Sequence, residues 1–322
     1  MTELTIAICT RNRAQSLDGM LAALREVRTE RSWELLLIDN GSTDETRLIL
    51  DDAAGGFPDA RVETVTAIGL GSARDAAWRM AKGEIVLFTD DDCYVAPDLV
   101  DATLAAFEAH PKTGIMGGRI LLHDPDDYPV TIDVRAEPLS IEPYSFAPPG
   151  TLQGANFAFR RSALEAIDGI DTMLGAGTPF PCEDIDAVAA CLWAGIPGRF
   201  EPTMMVRHHH GRKERDLPAL MESYDRGRGA YYVKYLLRSD SRGTYLSGWL
   251  RATFFDLHSG KMLTLRRELR SGARYLRSRR AWPALVAGFV PAWLTYAALT
   301  LAVVANKLAN IVAAVGSRRV AP

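Results

Sequence analysis

Three consecutive aspartates, Asp90-Asp91-Asp92, follow the apolar run Glu84-Ile85-Val86-Leu87-Phe88. That run is short, rich in strand formers and begins just after Gly83, the signature of a buried strand. Carboxylates at the carboxyl end of such a strand face the crevice where open α/β sheets bind ligands. Three like charges repel at close range unless a cation sits among them. Mg²⁺ with a diphosphate is a natural partner, because that ion takes one or two carboxylates together with phosphate oxygens. An acidic surface turn is the bland alternative, and the residues upstream weigh against it.

Other strand ends carry polar groups to the same edge. The stretch Leu37-Ile38-Asp39-Asn40-Gly41-Ser42-Thr43-Asp44 ends a second strand. Asp39 can accept from a base or ribose hydroxyl, Asn40-Gly41 makes the turn, and Ser42 or Thr43 can cap the next helix. The first strand ends Thr10-Arg11-Asn12-Arg13. Its arginines can meet phosphate, although a polar loop before a helix reads similarly. Gly69-Leu70-Gly71-Ser72-Ala73-Arg74-Asp75 opens a helix whose N-terminus favours anions, with glycines that let backbone approach a ligand. Glu183-Asp184 opens another helix, where acids also serve as ordinary complements of the dipole. Val206-Arg207-His208-His209-His210 ends the last strand, and three adjacent imidazoles cannot all point one way.

The elements that must position these groups alternate. Strands are predicted at 4–9, 33–38, 61–66 and 84–88, with helices at 16–28, 43–53, 72–81 and 97–110 between and after them. Residues 114–121 are strand-like. Repeated βα units imply an α/β fold: a mostly parallel, Rossmann-like sheet flanked by helices. Residues 123–150 break the rhythm with prolines and acids and read as a long functional loop. Regular structure returns as a strand at 155–160, helices at 162–167 and 183–193, and an edge strand at 199–206 that tolerates Pro202.

The net charge of −3 conceals an asymmetry: residues 1–210 hold 17 Lys+Arg against 33 Asp+Glu, and residues 211–322 hold 20 against 7. An acidic body followed by a basic tail points to a metal-using catalytic region attached to something anionic. Three parts follow: a catalytic domain at 1–210, a basic amphipathic helical region at 211–280, and a hydrophobic segment at 281–322. From Ala281 to Asn306 the chain runs 26 residues without a charge, longer than the ~20 that span a bilayer core. Arg266, Arg267, Arg270, Arg274, Arg277, Arg279 and Arg280 precede it, which fits a cytoplasmic flank. The expected location is the cytoplasmic face of a membrane, held peripherally or by one C-terminal span. Cys9, Cys93, Cys182 and Cys191 show no disulfide or metal spacing, as in a reduced compartment. Met1-Thr2-Glu3-Leu4 enters a strand without the pattern of a signal peptide.

Together these motifs resemble the inverting nucleotide-sugar glycosyltransferases of family 2, which have the GT-A fold. The resemblance covers about residues 4–210 and rests on Thr10-Arg11-Asn12-Arg13, Asp39-Asn40-Gly41-Ser42, Gly71-Ser72-Ala73-Arg74, Asp90-Asp91-Asp92, Gly154-Ala155-Asn156 and Glu183-Asp184. It implies transfer from a nucleotide-diphosphate sugar, a UDP-sugar first, to a hydroxyl of a glycan or lipid-linked acceptor. Thr10, Asp39 and Arg74 would hold the nucleoside, with Arg11, Arg13, Asp90 and Asp91 completing the nucleotide-sugar site. Asp90 and Asp92 match the outer members of the DxD motif and, with His208, would bind Mn²⁺ or Mg²⁺; Asp91 is its variable middle. A hydroxyl attacking an anomeric carbon must lose its proton, a role the resemblance gives to Asp184. Glu183 would orient that base or touch the acceptor, as would Asn156, and Asp186 would support the loop. Asp75 stands where the family often has Asn, and Ala190 where it often has Arg. A sugar nucleotidyltransferase is the enzymatic alternative, but Thr10-Arg11-Asn12-Arg13 lacks its glycine-rich loop. A non-catalytic, membrane-docked cation-binding module is the other; no nucleic-acid partner is expected.

Overall fold

The computed structural model describes residues 2–258 and 262–281. Its first half is a run of βα units: β1 (Leu4–Thr10), α1 (Asp18–Arg25), β2 (Trp33–Asp39), α2 (Thr46–Ala54), β3 (Ala60–Thr64), α3 (Leu70–Met80) and β4 (Ile85–Asp90). There follow β5 (Cys93–Val95), α4 (Leu99–Ala109), β6 (Ile115–Leu122), β7 (Leu139–Ile141), β8 (Asn156–Arg160), α5 (Arg161–Ala166), α6 (Glu183–Trp193) and β9 (Gly198–His208). Three long helices complete the described chain: α7 (Leu217–Leu237), α8 (Arg242–His258) and α9 (Met262–Ser278).

The strands form one sheet in the order β3-β2-β1-β4-β8-β6-β9-β5, with β7 paired to β9. β3, β2, β1 and β4 are parallel, so their carboxyl ends lie along one edge. Chain order reverses beside β1, with β2 on one side and β4 on the other, and a crevice opens at such a switch point.

The sheet is mixed rather than mostly parallel. β8 runs antiparallel to both β4 and β6, and β9 antiparallel to β5 and β7, while β6 and β9 are parallel. Nor is β9 an edge strand. It lies between β6 and β5, and Pro202 is accommodated because the β6 register slips from Gly117↔Phe200 to Arg119↔Met205. That irregularity frees the proline from a ladder position that would need its missing N–H.

The alternation of strand residues sorts the core into two layers. Leu4, Ile6, Ile8, Leu35 and Leu37 face α1, α2 and α4. Ala7, Cys9, Leu36, Ile38, Val86 and Phe88 face the other way, in a cluster that includes Ala73, Ile185, Tyr231, Tyr235, Tyr245 and Trp249. The basic region at 211–280 thus shares this core with the sheet. Its tyrosines are mostly internal: Tyr231 donates to the Ala147 carbonyl at 2.8 Å and Tyr235 to that of Asp186 at 3.0 Å. All four cysteines are buried thiols. Among the described residues no helix is long and apolar enough to cross a membrane. The uncharged run beginning at Ala281 lies outside them from residue 282 on.

Candidate active site

The first three sheet ends meet as the register requires. Thr10 pairs with Asp39 across β1 and β2, and Cys9 with Asp90 across β1 and β4. A cavity of about 670 Å³ opens over this edge, lined among others by Thr10, Arg11, Asp90, Asp91, Asp92, Glu183, Asp184 and His208.

Arg74 lies under the cavity, 2% exposed. It donates to Asp90 Oδ1 at 2.7 Å, to Glu183 Oε1 at 2.8 Å and to the Gly154 carbonyl at 2.9 Å. Its guanidinium also lies 5.1 Å from the Phe157 ring. The glycines around it are steric necessities: a Cβ on Gly154 would lie 2.5 Å from Arg74 Nη1, and one on Gly71 2.2 Å from the Leu174 carbonyl. The resemblance puts Arg74 on the nucleoside; the structure instead engages it with the two carboxylates that flank the cavity. A guanidinium's planar fork suits that double duty.

The aspartate triplet divides its work. Asp91 accepts from Thr10 Oγ1 at 2.5 Å and from Arg13 at 3.0 Å, pinning the middle residue to the end of β1. Arg13 also holds Asp92 at 3.0 Å, so it clamps the triplet and is spent there rather than left for phosphate. Arg11 is exposed and lines the cavity, its side chain donating to the Gly41 carbonyl at 3.4 Å. Asp39 is 4% exposed and accepts the Ser42 N–H at 3.0 Å. Asn40, read from sequence as a turn residue, lines the cavity beside it. Its amide donates to the Val65 and Ala67 carbonyls and accepts from the Gly69 N–H, tying the β2 end to the start of α3.

Asp90, Asp92, Cys93 and His208 bring one ligand atom each within 4.8 Å of one another. Asp92 Oδ1 lies 3.1 Å from His208 Nε2. The other ring nitrogen faces the Thr131 carbonyl at 3.2 Å, which orients the imidazole. Burial pushes Asp90 up, with Arg74 opposing and Asp92 adding to the rise. Burial also works to raise Asp92, but the bond to His208 and the Arg13 charge hold it below the ordinary carboxylate value. For His208 burial works downward, and the contact with Asp92 reverses it, leaving the imidazole raised. Burial lifts the Cys93 thiol well above its usual range. Asp90, Asp92 and His208 therefore form a hard oxygen and imidazole donor set that fits Mn²⁺ or Mg²⁺. The other histidines diverge: His209 Nδ1 meets the Tyr94 hydroxyl at 2.8 Å, and His210 turns toward Asp127.

The acidic pair that opens α6 also splits. Glu183 is buried against Arg74, and burial pushes it up to about 7, the Arg74 charge opposing and Asp184 reinforcing. It is thus a partner of Arg74 in the cavity wall. Asp184 is half-buried and lines the cavity, accepting the Gly154 N–H at 3.1 Å and the Ile185 N–H at 2.7 Å. Asp186 turns away to Lys234, at 2.7 Å. Asn156, expected at the acceptor, is fully buried in the sheet. Its amide donates to the Arg119 and Met204 carbonyls at 3.0 and 3.1 Å, bridging the irregular β6–β9 pairing. Asp75 joins α3 to the loop after α5, accepting from Trp78 Nε1 at 2.8 Å and the Ile170 N–H at 3.0 Å.

Among the cavity residues to which the sequence assigns no role are Arg212, Tyr224 and Arg228. They lie in the basic tail, where the two arginines enter only as bulk charge, Tyr224 is one of many aromatics, and no motif marks them. Arg228 is bound to Glu268 at 2.8 Å, whereas the Arg212 side chain finds no acidic partner among the described residues.

The glycosyl transferase family 2 profile matches residues 5–167, half of the chain. The chain belongs to glycosyl transferase family 2. An N-acetylglucosaminyl-diphospho-decaprenol L-rhamnosyltransferase of Mycobacterium tuberculosis is 28% identical, over 88% of this chain and 98% of that protein. The pre-mycofactocin glycosyltransferase of the same species is 24% identical over 66% of this chain. The chain spans 44% of that protein and 29% of the Bacillus subtilis glycosyltransferase YfnE. Among solved structures, the mannosyltransferase PcManGT of Pyrobaculum calidifontis, in complex with GDP-Man and Mn²⁺, superposes with a TM-score of 0.57 at 21% identity, over 93% of this chain and 80% of that one. S. aureus TarS 1-349 with UDP-GlcNAc gives 0.56 at 16% identity, over 76% and 70%. At those identities the likeness is one of fold, and the fold is that of GT-A glycosyltransferases.

Proposed function

We propose that this family 2 glycosyltransferase moves a sugar, with inversion, from a nucleotide-diphosphate donor to a hydroxyl of a lipid-linked glycan at the cytoplasmic face of a membrane. The observation that carries the reading is the convergence of Asp90, Asp92 and His208 with Asp184 on one cavity. Asp90, Asp92 and His208 would hold Mn²⁺ or Mg²⁺, which when bound supplies positive charge to the leaving diphosphate. Arg11 and Arg212, both at the cavity and without acidic partners among the described residues, add donors for the same phosphates. The β1 and β2 ends, with Thr10, Asp39 and Asn40, receive the nucleoside.

Asp184 is the base. Its carboxylate keeps free lone pairs beyond the two N–H bonds it accepts, and can take the proton of an attacking hydroxyl. A single displacement follows: the acceptor oxygen bonds to the anomeric carbon as the bond to the diphosphate breaks, and the configuration inverts. Glu183 and Arg74 position that base from below. The lipid-linked acceptor is supported by the decaprenol-diphosphate relative, matched over 98% of its length. The membrane location is supported by the uncharged run and the arginines before it.

The test is a donor panel of UDP-, GDP- and dTDP-sugars incubated with purified protein and Mn²⁺, read as released nucleoside diphosphate. A UDP-sugar is expected to be consumed, and Asp92→Ala to abolish the signal. Metal-independent consumption, or none with any donor, would defeat the reading.

A further inference from the structure

The arginines before the uncharged run do not form one class. Arg267 folds back to Glu222 at 2.9 Å and Asp225 at 3.3 Å, and Arg279 pairs with Asp171. Arg266, Arg270, Arg274 and Arg277 are exposed and find no acidic partner among the described residues. At 100° per residue they fall within about 80° of the helix circumference, along roughly 16 Å of α9. Leu263, 62% exposed, falls in the same sector one turn ahead. Glu268, Ser271, Gly272, Tyr275 and Leu276 are buried on the opposite side.

This is the reverse of an ordinary interfacial helix, which sinks its apolar face into lipid and leaves its charges in water. In α9 the apolar face is already occupied by the protein, and the outward face is a row of unneutralised cations. Like charges four residues apart destabilise a helix, so the row is costly to an isolated protein. Phe254 and Phe255, 52% and 68% exposed, lie near the end of α8 that adjoins Leu263 in sequence. Beyond the other end of α9 the uncharged run begins. The cationic row therefore connects two apolar stretches, an arrangement suited to a flat anionic surface with an apolar interior.

We propose that the outward face of α9 docks the enzyme on anionic lipid headgroups through Arg266, Arg270, Arg274 and Arg277. This rests on the membrane location proposed above and names the surface and the lipid chemistry that would produce it. Each arginine near an anionic headgroup layer strengthens partitioning roughly fivefold. Phosphate or carboxylate headgroups satisfy it equally; a zwitterionic surface does not.

The full chain is co-sedimented with phosphatidylcholine vesicles, with and without phosphatidylglycerol, beside a variant carrying Arg266→Gln, Arg270→Gln, Arg274→Gln and Arg277→Gln. Wild type is expected to favour the anionic vesicles at least about tenfold, to lose that preference near 1 M salt, and to lose it in the variant. Donor hydrolysis of the variant should match wild type and its thermal melting should be no lower, because these side chains touch neither the cavity nor the core and their mutual repulsion is relieved. A variant that keeps the anionic preference overturns the inference. So does wild-type binding that is equal on both vesicles, which would leave the membrane reading standing on the uncharged run alone. Absence of binding to either would defeat both. Stripe-dependent binding to duplex nucleic acid at least as tight as to the anionic vesicles would assign the row to a different partner and overturn the lipid proposal.

Discussion

Arg74 Nη1 donates to Glu183 Oε1 at 2.8 Å, while Nη2 of the same group reaches Asp90 Oδ1 at 2.7 Å. One buried cation thereby joins the end of β4 to the first turn of α6, the two elements that bring Asp90 and Asp184 to the cavity. Removing one partner of a buried pair leaves an uncompensated charge, at a cost of about 3–5 kcal/mol. Arg74→Met should lower the unfolding free energy by that order in a urea titration. A loss below about 1 kcal/mol would show that the bridge does not hold the two elements together.

Glu183 has a folded pKa of about 7 against an ordinary 4.5. Between those values the folded protein holds a proton that the unfolded chain has released, so this group's contribution is greatest at acid pH and is lost as pH rises through about 7. Comparing wild type with Glu183→Gln, the stability difference should shift by roughly 1–3 kcal/mol in favour of wild type on going from about pH 7.5 to 5. A pH-independent difference would mean that Glu183 stays ionised against Arg74 throughout.

Much of the site's first half was legible because it follows local rules. A β-rich run ending in polar residues fixes both a strand and the edge it reaches, so Thr10, Asp39 and Asp90 could be placed from three separate stretches. What stayed hidden depends on partners distant in sequence. Nothing near Asn156 reveals that its amide is spent on the carbonyls of Arg119 and Met204. The same holds for Arg13, whose position in an arginine-rich strand end suits phosphate as well as it suits Asp91 and Asp92. The antiparallel insertion of β8 was invisible for a related reason: its alternation marks a strand but does not choose its neighbours. In the tail, bulk charge concealed a division between arginines paired inside the fold and those facing outward.

Lys234 couples α7 to α6, contacting Asp186 at 2.7 Å and Asp171 at 2.9 Å. Lys234→Met should destabilise the protein by about 3 kcal/mol and reduce kcat more than it changes donor KM, since α6 carries Asp184. Adding Asp186→Asn should recover part of both losses by removing the stranded charge. An undiminished kcat in the single variant would separate this contact from the role proposed for Asp184.

His208 stands beside Asp92 with its ring oriented by Thr131. His208→Asn should raise the Mn²⁺ concentration giving half-maximal activity by about tenfold or more, with saturating Mn²⁺ restoring most of the rate. An unchanged Mn²⁺ requirement would remove His208 from the donor set.

Product partitioning in the Asp184→Asn variant tests most directly whether one cavity holds a metal-bound donor beside a carboxylate base. Given donor, Mn²⁺ and acceptor, the variant should still hydrolyse nucleotide sugar at close to the wild-type rate while transfer falls by about 10²-fold or more. Transfer at the wild-type rate, or an equal loss of hydrolysis and transfer, would contradict the assignment of Asp184 as the base.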